Sequence, residues 1–545
     1  MPSPSPLVLI SGAGPTGITA ALELRRFGIP VRIIEAQDGP SKTSRAIGVQ
    51  ARTLEELELR GLADEFVRLG NRASGGIIYG DGRQLLRVDF TRIESRYNFL
   101  LLLSEADTER ILREALAKEG TRIEFGMKMS AFAQNADGVT ATLEHKDGRL
   151  EEVSAAYLIS AEGAHSTIRS SLNLEFKGKT LDEHYALADL HVDGGLSVSD
   201  LHIFSSEHGF MGLFPLGGSH FRLIASNPPG NLSDGQDPTL EQLQAIYDQR
   251  SHVPARLRQL GWSSWFHINS RMVEKLKVGR IFLGGDAAHI HSPAAGQGMN
   301  TGIQDMMNLA WKLALVLKGQ ASSELLDTYQ QDRLPVMRSI LSRTEGLTEI
   351  VGAESPLVRG IFNHLVPWIG GLNFVEENAT ASISQIALNY RDSPLSTDHA
   401  AGGTLRAGDR VPELRVRAVR TEREIGIGLR REGGVRTGSE ESRLFDLLDP
   451  SRFTLLLVNI KDAASLQAQL ARVLEPLRQL ISVVQIQPPG GEFQKHFRES
   501  FGSRSLLVLI RPDAYVGYRG NEYSLTKLAE YCRHWFSPGV ALRAA

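Results

Sequence analysis

The sequence predicts an α/β protein, α+β overall, made of a doubly wound unit, a mixed sheet inserted into it, and a further α/β unit at the end. Three observations lead there. Residues 7–35 read strand, glycine turn, helix, strand. From about 180 to 270 the pattern turns strand-rich and aromatic. Beyond about 415, strands and helices alternate again. At 545 residues the chain is too long for one core. The expected division is a discontinuous first domain at 1–175 and 271–395, the inserted sheet at 176–270, a linker at 396–414 and the tail at 415–545.

Taken in order, LVLI is a short buried strand. GITAALELRRFG has apolar residues at helical spacing, and Gly28 suits its C-terminal cap. VRIIE is the second strand, and EADTERILREALAK (105–118) a second amphipathic helix. Asp-Gly pairs at 137–138 and 147–148 separate alternating runs, which predicts hairpins. HYALADLHV, LHIFSSEHGFMGLFPL, HFRLIAS and SWFHINSRM supply the strands of the insertion. KVGRIFLGG leads into DAAHIHSPAAGQGMN, and the amphipathic helix TGIQDMMNLAWKLALVLKG leads out, into a helical region that runs to about 390. STDHAAGGTLRAGDRVPEL is loop-like. The tail reads strand (FTLLLVNI), helix (ASLQAQLARVLEPLRQL), strand (ISVVQIQ), hairpin (SLLVLIRPDAYVGYRG) and helix (SLTKLAEYCRHWF).

Composition narrows the function classes. A net charge of −3 gives no electrostatic case for nucleic acid or an anionic membrane. The single cysteine, Cys532, excludes a disulfide framework and a cysteine-based metal site. The N-terminus lacks a charged leader and a long apolar run, and no stretch gives about 18 uninterrupted apolar residues. The expectation is a cytoplasmic enzyme with no metal, nucleic-acid or membrane partner.

Two glycine-rich turns carry the chemistry. GAGPTG fits G-x-G-x-x-G between a strand and a helix. Gly12 permits the tight turn, Gly14 lets the backbone approach a pyrophosphate, and Gly17 lets helix and strand pack closely, with Pro15 and Thr16 between them. Glu35, at the end of the next strand, stands where an acid accepts hydrogen bonds from an adenosine ribose. That motif suits FAD or NAD. In the second turn, Asp286 can hold a ribityl or ribose hydroxyl, and Gly296 and Gly298 let backbone N–H groups approach a ring system. The helix starting near Met299 or Asn300 points its positive end at the same place, which favours a reduced flavin. The alternative reading is an ordinary loop with a helix cap.

GAGPTG, SRAIGVQARTLE, SAEGAHSTIR and GDAAHIHSPAAGQGMNTGIQDMMNLAWKL, in this order over about residues 7–345, resemble the single-component aromatic-ring flavoprotein monooxygenases related to p-hydroxybenzoate and phenol hydroxylases. The tail, with LLVLIRPDAYVGYRG, resembles the thioredoxin-like domain of the subgroup with pentachlorophenol and polyketide hydroxylases; a lone Cys532 allows no Cys-x-x-Cys redox cycle, so a structural or homodimer-interface role is expected. The resemblance implies a Rossmann-like FAD-binding domain, FAD, and NADPH or NADH as a transient co-substrate. It implies oxygen transfer from a flavin C4a-hydroperoxide to an aromatic, phenolic or polyketide substrate. The alternatives are Baeyer–Villiger or another tailoring oxidation on the same fold, and a flavin reductase or dehydrogenase that inserts no oxygen.

By the same resemblance Arg45 lies beside a moving flavin, Pro293 beside the ring where oxygen reacts, and Asp286 is the flavin-binding acid of GDAAH. Met129 falls where the family backbone contacts adenine, and Glu105 where a Gln contacts the ribityl–phosphate side. His289 is expected to pack behind the loop. Two departures stand out. Glu162 replaces the Asp of the Gly-Asp-Gly motif, and Glu105 brings a carboxylate towards a pyrophosphate. Phe204, Phe210, Met211, Phe214 and Arg222, on strands of the insertion, are expected to line the substrate pocket against the flavin. No residue is singled out as the base that deprotonates a phenol.

Overall fold

The computed structural model describes residues 7–41, 46–80, 82–226, 237–291, 296–351, 380, 381, 383–419 and 440–536. Its α-helices are α1 (Pro15–Arg26), α2 (Ala51–Leu59), α3 (Ala63–Leu69), α4 (Glu105–Lys118), α5 (Thr167–Ser171), α6 (Leu240–Ser251), α7 (Gly298–Leu317), α8 (Asp327–Val351), α9 (Ala463–Leu474), α10 (Phe493–Phe501) and α11 (Leu525–Trp535).

Val8–Ser11 is buried at every position because both its faces are covered, Val8 and Ile10 by the core that includes α1 and Leu9 by the hairpin sheet of residues 127–155, while parallel strands Val31–Glu35 and Tyr157–Ser160 flank it. Ile281–Leu283 and Ile123–Phe125 extend this sheet in parallel, and Lys277–Val278 closes one edge. Gly28 ends α1 with φ +71°, its N–H reaching Arg25 O at 2.7 Å while the Ile29 N–H reaches Leu24 O at 2.9 Å. That pair of bonds satisfies two carbonyls the helix end would otherwise leave open. The Asp-Gly hairpins form a separate antiparallel sheet of Met127–Gln134, Val139–His145 and Leu150–Ala155.

The second unit is an eight-stranded sheet in the order His289–Ile290, Ala255–Met272, Lys177–Gly194, His220–Ser226, Gly209–Gly217, Asp200–Ser206, Gly75–Gly80, Arg83–Asp89. The last two strands come from far upstream, through a parallel pairing of Asp200–Ser205 with Gly75–Gly80. The sequence reading grouped them with residues 1–175; their alternation is compatible with any sheet, and the partner is set by tertiary packing. At the other edge, His289 and Ile290 pair with Met272 and Arg271, so this sheet is joined directly to the second glycine turn.

Strand alternation gives this sheet two unlike faces. Ala186, Ala188, Leu190, Phe204, Met211 and Leu223 pack with Leu243, Ile246 and Tyr247 of α6. The opposite face carries Tyr185, Leu187 and Ile224 with the half-buried rings of Phe210, Phe214, Trp262 and Phe266. Phe214 and Leu216 also pack on the main core, so the aromatic face is the one turned towards the rest of the molecule.

In the tail, Phe453–Val458 and Ile481–Gln487 run parallel across α9, and Leu506–Ile510 and Val516–Asn521 form the antiparallel hairpin. Helix α10 is an addition to the sequence reading. Residues 396–414, expected as a linker, fold onto this unit: Thr397–Asp398 adds an edge strand, and Leu405, Ala407, Val411 and Leu414 are buried in its core. Their glycine-rich polar spacing looks like a loop, but the few apolar side chains serve as plugs. Cys532 is buried, which pushes its thiol up to about 12. Among the described residues no helix is long and apolar enough to cross a membrane, and no His/Cys/Asp/Glu cluster could hold a metal ion.

Candidate functional site

The first glycine turn is shaped by steric necessity. Gly12 has φ +100°, and a Cβ there would stand 2.2 Å from Ala161 O; at Gly17 it would stand 1.9 Å from Gly12 O. Gly14 differs: a Cβ would meet one atom, Glu109 Oε1 at 3.9 Å, so this glycine faces open space. Helix α1 begins there with Pro15 in its first turn and no side-chain cap, leaving its leading N–H groups to the opening. Thr16 was expected to touch the cofactor, but its side chain is a wedge between the two motifs. A Cβ at Gly285 or at Gly302 would come within 2.4 Å of Thr16 Oγ1. Both glycine turns are thereby brought to one place.

Glu35 ends its strand beside this opening, accepting Ala13 N–H at 2.8 Å through Oε2 and Gln37 N–H at 2.9 Å through Oε1. The side chain of Met129 is buried with Leu9, Ile34 and Leu143, which leaves its main chain for any adenine contact. Glu105 is engaged with the chain leaving the Arg45 loop: Ala46 N–H donates to its Oε2 at 3.2 Å, and Glu105 N–H donates to Ala46 O at 3.0 Å. The carboxylate expected at a pyrophosphate is thus tied to backbone at the start of α4. Arg45 itself lies outside the described residues, as does Pro293. One turn further along α4, burial, reinforced by Glu105, pushes the Glu109 carboxyl up to about 7.

The Asp-to-Glu departure is absorbed locally. Glu162 accepts hydrogen bonds from Ser11 Oγ (2.8 Å), Ser166 Oγ (2.7 Å), Thr167 Oγ1 (3.2 Å) and the Ile168 N–H (3.0 Å). Its longer arm folds back onto the N-terminus of α5, where negative charge is favoured. Arg169 of the same motif donates to Ala287 O at 3.1 Å and to Ala164 O at 2.7 Å, linking this loop to the second glycine turn.

That turn presents Asp286 as its exposed member, between buried Gly285 and Ala287. Behind it, Asp305 of α7 accepts the Gly285 N–H at 3.0 Å, His289 Nε2 at 2.9 Å and Arg333 Nε at 2.7 Å. His289 is therefore packed behind the loop, with the His291 ring lying nearly parallel to it at 6.3 Å. Gly296 has φ +59° and approaches Gly48. Helix α7 starts at Gly298, its first turn without a side-chain cap from Gln297. Met299 is half-buried on the main core. The side chain of Asn300 is fully buried and spent on backbone: it accepts Gln50 N–H at 2.9 Å and donates to Gly48 O and Gly296 O, each at 2.8 Å. Any cofactor contact from Asn300 is left to its N–H.

On the sheet side, the five expected pocket residues divide. Phe210 and Phe214 lie on the aromatic face over Gly212, where a Cβ would stand 2.7 Å from Phe214 Cε2. Phe204 and Met211 do not line it: both are fully buried on the α6 face, Phe204 stacked 4.7 Å from the Tyr79 ring. Their strands alternate, and an odd–even choice decides the face. Arg222 is on the aromatic side but fully buried, paired to Asp189 through Nε at 2.7 Å and Nη2 at 2.8 Å. Trp262 Nε1 donates to the same carboxylate at 2.7 Å, its ring 5.2 Å from the guanidinium. At this polar end His220 stacks on His191, and burial holds its imidazole below the ordinary range.

Sequence reasoning missed Asp305, Glu109 and the Asp189–Trp262 contact. Asp305 left a signal: an acid on a helix whose Ile303, Met306, Met307, Leu309 and Ala310 are apolar and core-spaced needs a buried partner. The two uncapped helix starts, the open side of Gly14 and the acid at the strand end fit a dinucleotide, and exposed Asp286 fits a polyol.

Comparison with known proteins agrees with that fit. The FAD binding domain family matches residues 7–344, and the family described as aromatic-ring hydroxylase, C-terminal, matches residues 428–539. The chain is 35% identical over 552 residues to 6-methylpretetramide 4-monooxygenase of Streptomyces rimosus, covering 96% of this chain and 92% of that one. It is 31% identical to pentachlorophenol 4-monooxygenase of Sphingobium chlorophenolicum, covering 94% and 93%. Among solved structures, the OxyS anhydrotetracycline hydroxylase from Streptomyces rimosus superposes with a TM-score of 0.76 at 26% identity, covering 98% of this chain and 99% of that one.

Proposed function

Because the chain belongs to the FAD-dependent aromatic-ring hydroxylases, we propose that its substrate is a fused-ring, polyketide-type phenol that lies on the aromatic face of the eight-stranded sheet. The chain is a flavoprotein monooxygenase of aromatic or polyketide compounds. The observation that carries the substrate reading is the run of half-buried rings at Phe210, Phe214, Trp262 and Phe266, flanked by Tyr185, on the face of the sheet that packs against the main core rather than against α6. A broad aromatic floor suits several fused rings better than one.

The residues divide the work. Gly12 to Gly17 and the start of α1 hold a pyrophosphate on backbone N–H groups, and Glu35 takes the adenosine ribose. Asp286 would take a ribityl hydroxyl, and the uncapped N–H groups of Gly298, Met299 and Asn300 at the positive end of α7 would favour a negatively charged, reduced flavin. Bound FAD supplies two-electron chemistry with NADPH or NADH and activation of dioxygen. Arg45 and Pro293, by their place in the motifs, would stand beside the ring. The sheet orients the phenol and keeps water from the reacting edge. Arg222, neutralised by Asp189, offers no bare charge to attract a carboxylate, which favours a neutral substrate.

The test is a panel of single-ring phenols and fused-ring polyketide aromatics given to the holoenzyme with NADPH or NADH. The expected result is a product heavier by one oxygen, hydroxylated on the ring, formed in step with nicotinamide use and best with fused rings. A ring-expanded ester of the same mass establishes Baeyer–Villiger insertion instead. Hydrogen peroxide as the sole product throughout overturns oxygen insertion for this panel.

A further inference from the structure

Asp305 does more than fill a helix. It is fully buried, and it grips both ends of the turn that presents Asp286, at Gly285 N–H and His289 Nε2. Burial alone would raise its carboxyl, but Arg333, His289 and the Gly285 N–H outweigh that and hold it below the ordinary carboxylate range. Arg333, also fully buried, reaches from α8 to Thr301 O at 3.1 Å, in the first turns of α7, and to Tyr390 Oη at 2.9 Å. The Tyr390 ring lies 4.2 Å from that of Tyr515 and 5.0 Å from the Arg511 guanidinium, both on the tail hairpin.

The same hairpin is fastened to α7 a second time. Arg511 pairs with Asp513 and with Asp332 (2.9 Å), Asp332 takes Lys312 at 2.8 Å and Asn308 at 2.9 Å, and Asn308 also reaches Asp513 at 3.2 Å. Burying this many charges is costly unless each is paired and fixed in place. A continuous path of buried contacts therefore runs from residues 511–515 to the turn that carries Asp286. The proposed chemistry uses none of its members.

We propose that the C-terminal unit positions the flavin-facing turn. Tyr390, Arg333 and Asp305 act as positioning residues that couple the docked tail hairpin to FAD binding. This rests on the reading of Gly285–Asn300 as the flavin site, and Asp286→Ala tests that reading separately.

Contiguity alone does not establish coupling; a double-mutant cycle does. Tyr390→Phe removes one acceptor of Arg333 and keeps the ring, Asp513→Asn weakens the hairpin's grip on α7, and Tyr515→Phe is a control whose hydroxyl has no hydrogen-bond partner among the described residues. FAD release is followed by flavin fluorescence on dilution of the full-length holoenzyme, with visible circular dichroism of the FAD-saturated protein and its urea midpoint recorded alongside. Each of the first two variants is expected to weaken FAD binding about fivefold, the pair by clearly less than the product, with an altered flavin spectrum and the control unchanged. Weakened binding with an unchanged spectrum and an equivalent loss of urea midpoint overturns the proposal in favour of general destabilisation, as does wild-type FAD affinity in both variants. If Asp286→Ala also binds FAD as the wild type does, the site reading fails; if Asp286→Ala alone loses FAD, the coupling fails and the site stands.

Discussion

Around the glycine turns, the shape of the site is made by main chain. Gly12 sits against Ala161 O, Gly17 against Gly12 O, and Gly285 and Gly302 against Thr16, so each glycine is present because a Cβ has no room. The eight-stranded sheet makes its aromatic surface from side chains. The strand that sends Phe210 and Phe214 to the aromatic face sends Met211 to the α6 face, where Phe204 of the neighbouring strand joins it. A cofactor shared across a family is gripped by backbone that substitution can break but hardly retune. A substrate that differs between relatives meets a surface retuned by changing one ring.

The largest expected effect breaks the backbone side. Gly12→Ala puts a methyl 2.2 Å from Ala161 O at a φ of +100°, and should cost on the order of 3–5 kcal/mol and the bound FAD, read by urea unfolding and visible absorbance. A wild-type midpoint would mean the turn has another course. Next comes Asp286→Ala, which removes an exposed side chain and should weaken FAD about 10- to 100-fold while leaving the unfolding free energy of the FAD-free protein, from urea titration, within ~0.5 kcal/mol. The contrast with Gly12 separates holding the ligand from holding the turn.

On the sheet the comparison sharpens within one hairpin. Phe204→Ala empties a fully buried site and should cost about 3–5 kcal/mol in unfolding free energy. Phe210→Ala, half-buried on the other face, should cost about 1 kcal/mol while raising KM for a fused-ring phenol several-fold and lowering the yield of product per nicotinamide. Equal stability losses with equal kinetics would erase the distinction between faces.

What could be read from the sequence follows the same division. GAGPTG and GDAAHIHSPAAGQGMN are legible because sterics leave so few alternatives at a tight turn, and their helices are found where the 3.6-residue spacing puts them. Thr16 and Asn300 were assigned to the cofactor because they stand in the motifs, yet their side chains hold one loop to another. Those contacts, of Thr16 with Gly285 and Gly302 and of Asn300 with Gly48, join residues about half the chain apart and leave no local pattern. Alternation in HYALADLHV and GFMGLFPL announces strands with two faces, but which face is covered depends on α6, more than a dozen residues further on. Residues 75–89 and 396–414 were misplaced for the same reason: short, weakly patterned segments take their partners from tertiary packing.

Glu109 gives the smallest effect and the one that probes both kinds of construction together. It is a side chain, yet it faces the open flank of Gly14, where the backbone is built for an anion. Burial first, then Glu105, raises its carboxyl to about 7, above the ordinary carboxylate range near 4.5. Below pH 4.5 the folded and unfolded chains both carry the proton, so nothing is lost. As pH rises towards 7 the unfolded chain ionises freely and the folded one does not, and this stability relative to the unfolded state drains away through that window and is gone above it. Glu109→Gln removes the titration. The variant should match the wild type near pH 5 and exceed it at pH 8 by a few degrees in melting temperature. FAD affinity of the wild type should fall about threefold from pH 6 to pH 8, as an ionised Glu109 comes to face the pyrophosphate, and the Gln variant should flatten that slope. An unchanged slope in the variant would move the titrating group elsewhere and leave Glu109 as a spectator beside the glycine turn.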